Sequence, residues 1–244
     1  MKREREGGAD AREGAPPPVP LLPGAWRALP LADAREVLAL ADVAWPVGWT
    51  AGPITRVFPL LALQALPMGF LPGCVLLQFD LLLRAGLRGT ADAVWGPGWF
   101  QWLTGSVRWL PGQPDSVPGL ALRLDSADRV ADYLRFFCGC LWLQQGQHTV
   151  RIVDSAHAPA LHGAPPGAWR RQVRRCRAVP ASTGGHQVNC TLLHAGHLER
   201  AVYLVAADGR VQLLQSELLA TDLLPAEALR PPLRSLVALP GELA

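Results

Sequence analysis

Ser126–His157, SADRVADYLRFFCGCLWLQQGQHTVRIVDSAH, carries the clearest structural pattern in the chain. Its apolar residues recur at i, i+3, i+4, i+7 and i+11, the spacing of the buried stripe of an α-helix. These residues are Val130, Tyr133, Leu134, Phe137 and Leu141. Ser126 is the expected N-cap and Gly146 the expected stop, and the alternation from His148 to Asp154 predicts a strand. The segment therefore predicts a helix that leads into the first strand of a sheet.

The composition limits the classes of fold and partner. The 244 residues include 24 Gly and 23 Pro, which favours many turns and argues against a helical bundle. The net charge of +3 is too small to indicate a nucleic-acid or membrane partner. Only Lys2 is a lysine among the 23 basic residues, a bias typical of a GC-rich, bacterial genome. We therefore do not take arginine richness as a functional signal.

The N-terminus and the cysteines predict the compartment. Residues 1–14 are charged and lack the apolar segment of a secretory signal. The cysteine count is five, an odd number that does not fit a fully paired disulfide framework. We expect a cytoplasmic protein with free thiols.

The first half of the chain predicts a tail and then a β-rich region. Residues 1–25 are charged and then proline-rich, which predicts disorder. Residues 26–114 hold a short helix at Leu31–Ala41, capped by Asp33, and then Leu/Gly/Trp-rich apolar runs. These runs fit either a degenerate solenoid or an irregular sheet with a tryptophan-lined core. Val57–Phe79 has no charged residue, but its three prolines argue against a membrane helix.

A hairpin is also expected near the end of this region. Trp99–Leu103 and Ser106–Leu110 flank Thr104-Gly105, and the tryptophans at 102 and 109 would face each other across the pair. Pro111–Gly119 then reads as a linker and the best domain boundary.

The second half, residues 115–244, predicts an α+β domain in which the helix packs on an antiparallel β-meander. Alternating residues predict strands at His186–His194, Leu198–Val205 and from Val211 onwards. Ala195-Gly196 and Asp208-Gly209 are the expected hairpin turns. Residues 216–239 are expected to form a short helix or loop that closes this sheet.

This order of elements resembles a group of uncharacterised bacterial proteins. In that group a solenoid-like N-terminal half precedes an α+β domain containing YLRFFC, a strand ending in RIV and a DGRV hairpin. The matching residues here are Tyr133–Cys138, Arg151–Val153 and Asp208–Val211. The resemblance covers about half of the chain and implies an order of elements but no activity.

Two groups of residues are candidates for chemistry. Cys138 and Cys140, with His148 nearby, are candidate metal or thiol ligands, although a C-x-C pair on a helix turns its two sulfur atoms apart. An arginine cluster beside Trp169 is a candidate for binding phosphates or an acidic partner. It comprises Arg170, Arg171, Arg174, Arg175 and Arg177, which would share one face of a helix.

No catalytic set accompanies these residues. We therefore expect a non-enzymatic interaction module that binds another protein and needs no cofactor. The alternatives are a metal- or thiol-dependent enzyme that uses Cys138, Cys140 and nearby histidines, or a nucleic-acid or anion binder that uses Arg170–Arg177. The sequence does not predict the oligomeric state.

Overall fold

The computed structural model describes residues 20–45, 53–83, 87–143, 148–158, 161, 164, 167–223 and 233–238. These residues form a mixed α+β structure that is mostly β, with two large antiparallel sheets. The helices are α1 (Leu31–Val43), α2 (Ile54–Val57) and α3 (Ala127–Cys140), with a 3₁₀ helix at Ala168–Arg171. The strands are β1 (Arg27–Ala28), β2 (Leu60–Pro67), β3 (Val75–Leu82), β4 (Leu87–Gly96), β5 (Trp99–Trp102), β6 (Trp142–Leu143), β7 (His148–Thr149), β8 (Arg151–Val153), β9 (Arg177–Pro180), β10 (His186–His194), β11 (His197–Val205), β12 (Val211–Ala220) and β13 (Leu233–Ala238).

The first sheet has the order β1-β2-β3-β4-β13, and β5 pairs with the other half of the same edge of β4. Helix α1 covers one face of this sheet. Val37 of α1 is buried in a cluster with Phe79 and Trp102 from the strands. The Trp102 indole N–H also donates to the carbonyl of Ala41 at 3.1 Å. Apolar packing and this buried hydrogen bond therefore hold the helix on the sheet.

Helix α3 lies in the largest core cluster, which contains residues from both large sheets. The Ser126 side chain accepts the backbone N–H of Arg129 at 3.3 Å, so the predicted N-cap is confirmed. Phe70 contacts Tyr133 and Phe136 at ring-centroid distances of 5.7 and 5.6 Å. Because α3 is amphipathic and buries its apolar stripe here, it joins the two halves of the molecule.

The second sheet has the order β12-β11-β10-β8, and β9 also pairs with β10. The turn between β10 and β11 has φ values of 49° at Ala195 and 77° at Gly196, as a tight hairpin requires. β10 and β11 pair without interruption over nine residues, which follows from this turn. β11 and β12 are joined through Asp208-Gly209, so both predicted hairpin turns are confirmed.

The end of the described chain returns to the first sheet. β13 pairs with β4, with Ala238 opposite Leu87. The prediction that residues 216–239 would close the second sheet as a helix or loop was therefore wrong. Residues up to Ala220 continue β12, and Leu233–Ala238 adds a strand to the sheet of the N-terminal half.

Several local predictions in the first half also need correction. The tail predicted for residues 1–25 extends too far, because Leu22 is buried in the core; residues 1–19 lie outside the described residues. Pro30, rather than Asp33, occupies the N-cap position of α1. β5 pairs with β4 across a turn at Gly98, and no strand forms at 106–110, so the predicted hairpin was wrong.

Two predictions around α3 change as well. The helix ends at Cys140, because Leu141 adopts an extended conformation, and Gly146 lies outside the described residues. The predicted strand from His148 to Asp154 is split into β7 and β8. Over the described ranges, none of the helices has the length and apolar character needed to cross a membrane.

Candidate functional site

The five cysteines are all free and all buried. Burial raises the pKa of the Cys138 thiol to about 12 and that of Cys176 to about 11. Cys138 and Cys140 are fully inaccessible in the core around α3. Neutral thiols in such a place act as small apolar side chains and are poor nucleophiles.

His148 is the third residue of this candidate site. His148 lies in β7, and its side chain is outside the described part of the structure. Among the described side chains, no group of three or more His, Cys, Asp or Glu is arranged to hold a metal ion. The described geometry therefore brings no ligand set together around Cys138 and Cys140.

The arginine cluster does not form one helical face. The 3₁₀ helix ends at Arg171, and residues 172–176 lie in neither a helix nor a strand before β9 begins at Arg177. The Arg170 guanidinium lies 4.9 Å from the ring centroid of Trp169 and donates to the carbonyl of Ala164, so it is used within the fold. The remaining four arginines are exposed and follow the chain: Arg171, Arg174, Arg175 and Arg177.

A polar network ties α3 to the second sheet. Arg135 donates to both carboxylate oxygens of Asp154 at 3.0 Å and to Asp132 at 2.7 Å. Asp154 also accepts the backbone N–H of Cys176 at 2.7 Å. Burial lowers the pKa of Arg135, but its bond to Asp154 and the neighbouring negative charges outweigh that effect and raise it. Arg135 therefore stays charged and its charge is balanced within the fold.

This network borders a cavity of about 350 Å³. The cavity lies between the chain at Pro20–Pro23, the end of α3 and the segment from Val150 to Ala158, with Asp92 of β4 on its wall. Its size falls within the range of small-molecule sites. Arg135 binds two carboxylates at this border, while its Nε is buried without a hydrogen-bond partner among the described residues.

A second polar group lies on the face of the second sheet that continues the main core. His194 and Glu199 are hydrogen-bonded at 2.9 Å, and the Ser216 hydroxyl donates to the other oxygen of Glu199. Burial raises the pKa of Glu199, but the bonds from Ser216 and His194 outweigh it and lower the pKa below its usual range. The carboxylate lies between the serine and the histidine, so the histidine does not activate the serine as a base would.

Strand β12 is the outer edge of the second sheet. One side pairs with β11, and no described strand pairs with the other side. Its leucines Leu213, Leu214 and Leu218 are 50%, 51% and 57% exposed. We call these three residues the leucine edge. They account for three of the seven large apolar residues that the described structure leaves exposed, so the exposed apolar surface is concentrated on this strand.

The leucine edge carries little charge. Glu217 is the only charged residue between Val211 and Ala220, and its carboxylate binds Arg200 of β11 at 2.9 Å. Protein edge strands are commonly protected by lysine, proline or unpaired charges, and β12 contains no lysine or proline. Irregularities in the ladder at Leu214 and Leu219 are the protection that it does have.

Sequence reasoning missed the exposed edge of β12 and the polar group formed by His194, Glu199 and Ser216. The run VQLLQSELLA has the apolar content of a buried strand, and its position at an edge depends on the order of strands in the sheet. The approach of Glu199 to His194 follows from the hairpin register set by Ala195-Gly196, which was the available signal. Comparison of the chain with protein-family models, curated proteins and solved structures found no match.

Proposed function

We propose that the chain is a protein-interaction module that binds another polypeptide strand along the free side of β12. The observation that carries this proposal is the leucine edge, in which three half-exposed leucines lie on a sheet edge with one internally paired charge. A free edge offers unpaired backbone N–H and C=O groups, and an added strand satisfies them while side-chain contacts supply specificity.

The exposed apolar area of the leucine edge favours a state in which a partner strand covers it over a state in which it faces water. Each leucine is about half exposed, and covering that surface with a partner strand removes it from water at roughly 25 cal/mol per Å². Glu217 does not oppose this, because Arg200 already compensates its charge. The proposal does not depend on whether residues 26–114 contain a repeat.

The other functional hypotheses have less support from the site geometry. Burial and raised pKa values of Cys138 and Cys176 disfavour thiol chemistry. The exposed arginines after Trp169 do not share a helix, and Arg170 is hydrogen-bonded within the fold. A cytoplasmic location remains part of our proposal and is supported by five cysteines without a disulfide.

Site-specific photocrosslinking in cells tests the proposed function. A photoreactive phenylalanine analogue replaces Leu218, and in a control chain it replaces Leu31, which is 70% exposed on α1. We expect a discrete polypeptide adduct at position 218 and none at position 31. The polypeptide identified by mass spectrometry should then protect β12 amides from hydrogen exchange when its purified form is added or, if it is the chain itself, when the chain concentration is raised.

Two results contradict the proposal. One is an equal yield of adducts at the two positions, which would indicate random collision. The other is an adduct partner that leaves exchange of the β12 amides unchanged as its concentration is raised.

A further inference from the structure

We infer that the strand bound by β12 is β12 of a second copy of this chain, in antiparallel pairing about a two-fold axis beside Ser216. This inference rests on the proposed function and names its partner. The pairing joins two copies of the second sheet into one continuous sheet. In this pairing β12 is complementary to itself on both of its faces.

The register of β12 on β11 assigns each side chain to a face. Ser216 and Leu218 lie opposite Ala201 and Glu199, on the face that contributes to the main core. Gln215 and Glu217 lie opposite Val202 and Arg200, on the other face. The irregularity between Val202 and Tyr203 makes Leu214 the extra residue, which returns Leu213 to the core-side face.

These assignments restrict how a second copy can pair. In antiparallel strands, residues that lie opposite each other share a face of the sheet. Regular pairing is limited to the stretch from 215 to 218, because the ladder is irregular at Leu214 and Leu219. Axes at Ser216 and at Glu217 both satisfy these conditions within the stretch, but an axis at Glu217 would place its carboxylate opposite its own symmetry mate, and like charges directly opposed destabilise a sheet. We therefore place the axis at Ser216, which then lies opposite its own symmetry mate.

The resulting contacts are favourable on both faces. Gln215 comes opposite Glu217 of the second copy, so an amide N–H can donate to a carboxylate, and symmetry repeats this pair. On the core-side face, Leu218 comes opposite the Leu213–Leu214 bulge of the second copy. Each leucine of the leucine edge therefore gains an apolar neighbour, and no two like charges are directly opposed.

A second copy fits this edge better than an unrelated strand of unspecified sequence. The polar pair lies at the centre of the regular stretch and the leucines lie at both of its ends, which is the symmetry that a two-fold axis requires. Ser216 at the centre is small and donates to Glu199 within its own chain, so it does not obstruct close approach of the backbones.

Sedimentation velocity over a concentration series tests the inference. We expect the purified full-length chain to dimerise and Leu218→Lys to raise the dimer Kd at least about tenfold, because lysine is an effective edge-protecting residue. Leu31→Lys removes an exposed leucine away from β12, and we expect it to leave the Kd unchanged.

Gln215 provides a test of the register. Gln215→Lys places an ammonium group opposite Glu217 of the second copy and should lower the Kd about two- to tenfold, whereas Gln215→Glu should raise it by a similar factor. Both effects should weaken in 0.5 M salt, roughly the regime in which surface charges are screened. Equal effects of the two substitutions would contradict this register.

The outcomes separate this inference from the proposed function. A chain that stays monomeric up to about 100 µM overturns the second copy as partner; this range covers weak homodimers near a Kd of 1–100 µM. If position 218 then still crosslinks to a different polypeptide that protects β12, the proposed function stands without this inference. If position 218 gives no specific adduct either, both are wrong.

Discussion

The hydroxyl of Tyr133 forms a buried hydrogen bond between α3 and the turn that leads into β12. It donates to the carbonyl of Gly209 at 2.6 Å, across 76 positions of sequence. Burial raises the pKa of Tyr133, so the hydroxyl stays protonated and remains a donor at neutral pH. We predict that Tyr133→Phe destabilises the fold without altering its shape.

The expected magnitude follows from the burial of both partners. Phenylalanine fills the same space, so the loss is one hydrogen bond and the carbonyl of Gly209 is left buried without its donor. Leaving such a group unsatisfied costs about 1–3 kcal/mol. For a chain of this length, that corresponds to a drop in Tm of roughly 2–12 °C.

Urea unfolding followed by tryptophan fluorescence measures this loss. The matched control is Tyr203→Phe, since the Tyr203 hydroxyl is hydrogen-bonded to the thiol of Cys138, and sulfur is a weak partner. We expect the control to lose less than about 1 kcal/mol. If Tyr133→Phe is as stable as the parent, or more stable than Tyr203→Phe, the hydrogen bond to Gly209 does not stabilise the fold.

Three further predictions concern the core, the thiols and the response to pH. Phe137→Ala should cost about 3–5 kcal/mol in urea unfolding, because Phe137 is buried against Tyr133; a loss below about 1 kcal/mol contradicts that packing. A chromogenic disulfide reagent should modify no thiol in the folded chain and all five after unfolding; rapid reaction of a folded-state thiol would revive thiol chemistry. The lowered pKa of Glu199 stabilises the fold above the ordinary carboxyl pKa of 4.5, and this contribution is lost as the pH falls below it. The parent should therefore be more stable than Glu199→Gln at pH 7, and the difference should shrink as the pH falls from 4.5 through the lowered pKa of Glu199. A difference independent of pH contradicts the ionic role.

Local signals explain the parts of the fold that were predicted well. The stripe from Val130 to Phe137 and the cap at Ser126 specify α3 through contacts within a few residues. The Ala195-Gly196 turn sets the β10–β11 register without information from elsewhere in the chain. Short-range chemistry of this kind is readable from one sequence.

The strands of the first sheet were not predicted individually, because they contain few of the residues that favour β-strands. β4, LRGTADAVWG, contains two glycines, two alanines and an aspartate, residues that are depleted in strands. Cross-strand neighbours compensate for this: Arg88 binds the buried Asp80 of β3 with two nitrogens. β13 is paired with β4 from far along the chain, and no local pattern predicts such a partner.

The chemistry of the candidate sites could not be predicted from neighbouring residues in the sequence either. Cys138 and Cys140 attracted attention because of their spacing, yet their burial in the core decides their chemistry. The leucine edge shows the reverse case. Its sequence predicts buried core leucines, whereas the structure leaves them about half exposed. Whether Leu213 and Leu218 are covered depends on strand order and on where the neighbouring layer ends, which are properties of the whole fold.

Oxidative crosslinking of Ser216→Cys tests most directly the claim that β12 pairs with its own copy. Residues directly opposite in antiparallel strands have Cα atoms about 4.5–5.5 Å apart, within the range of a disulfide. The native cysteines are buried and do not compete. We predict rapid formation of a disulfide-linked dimer on a non-reducing gel, and much slower linkage of the exposed control Leu31→Cys. Equal rates for the two variants would contradict the pairing.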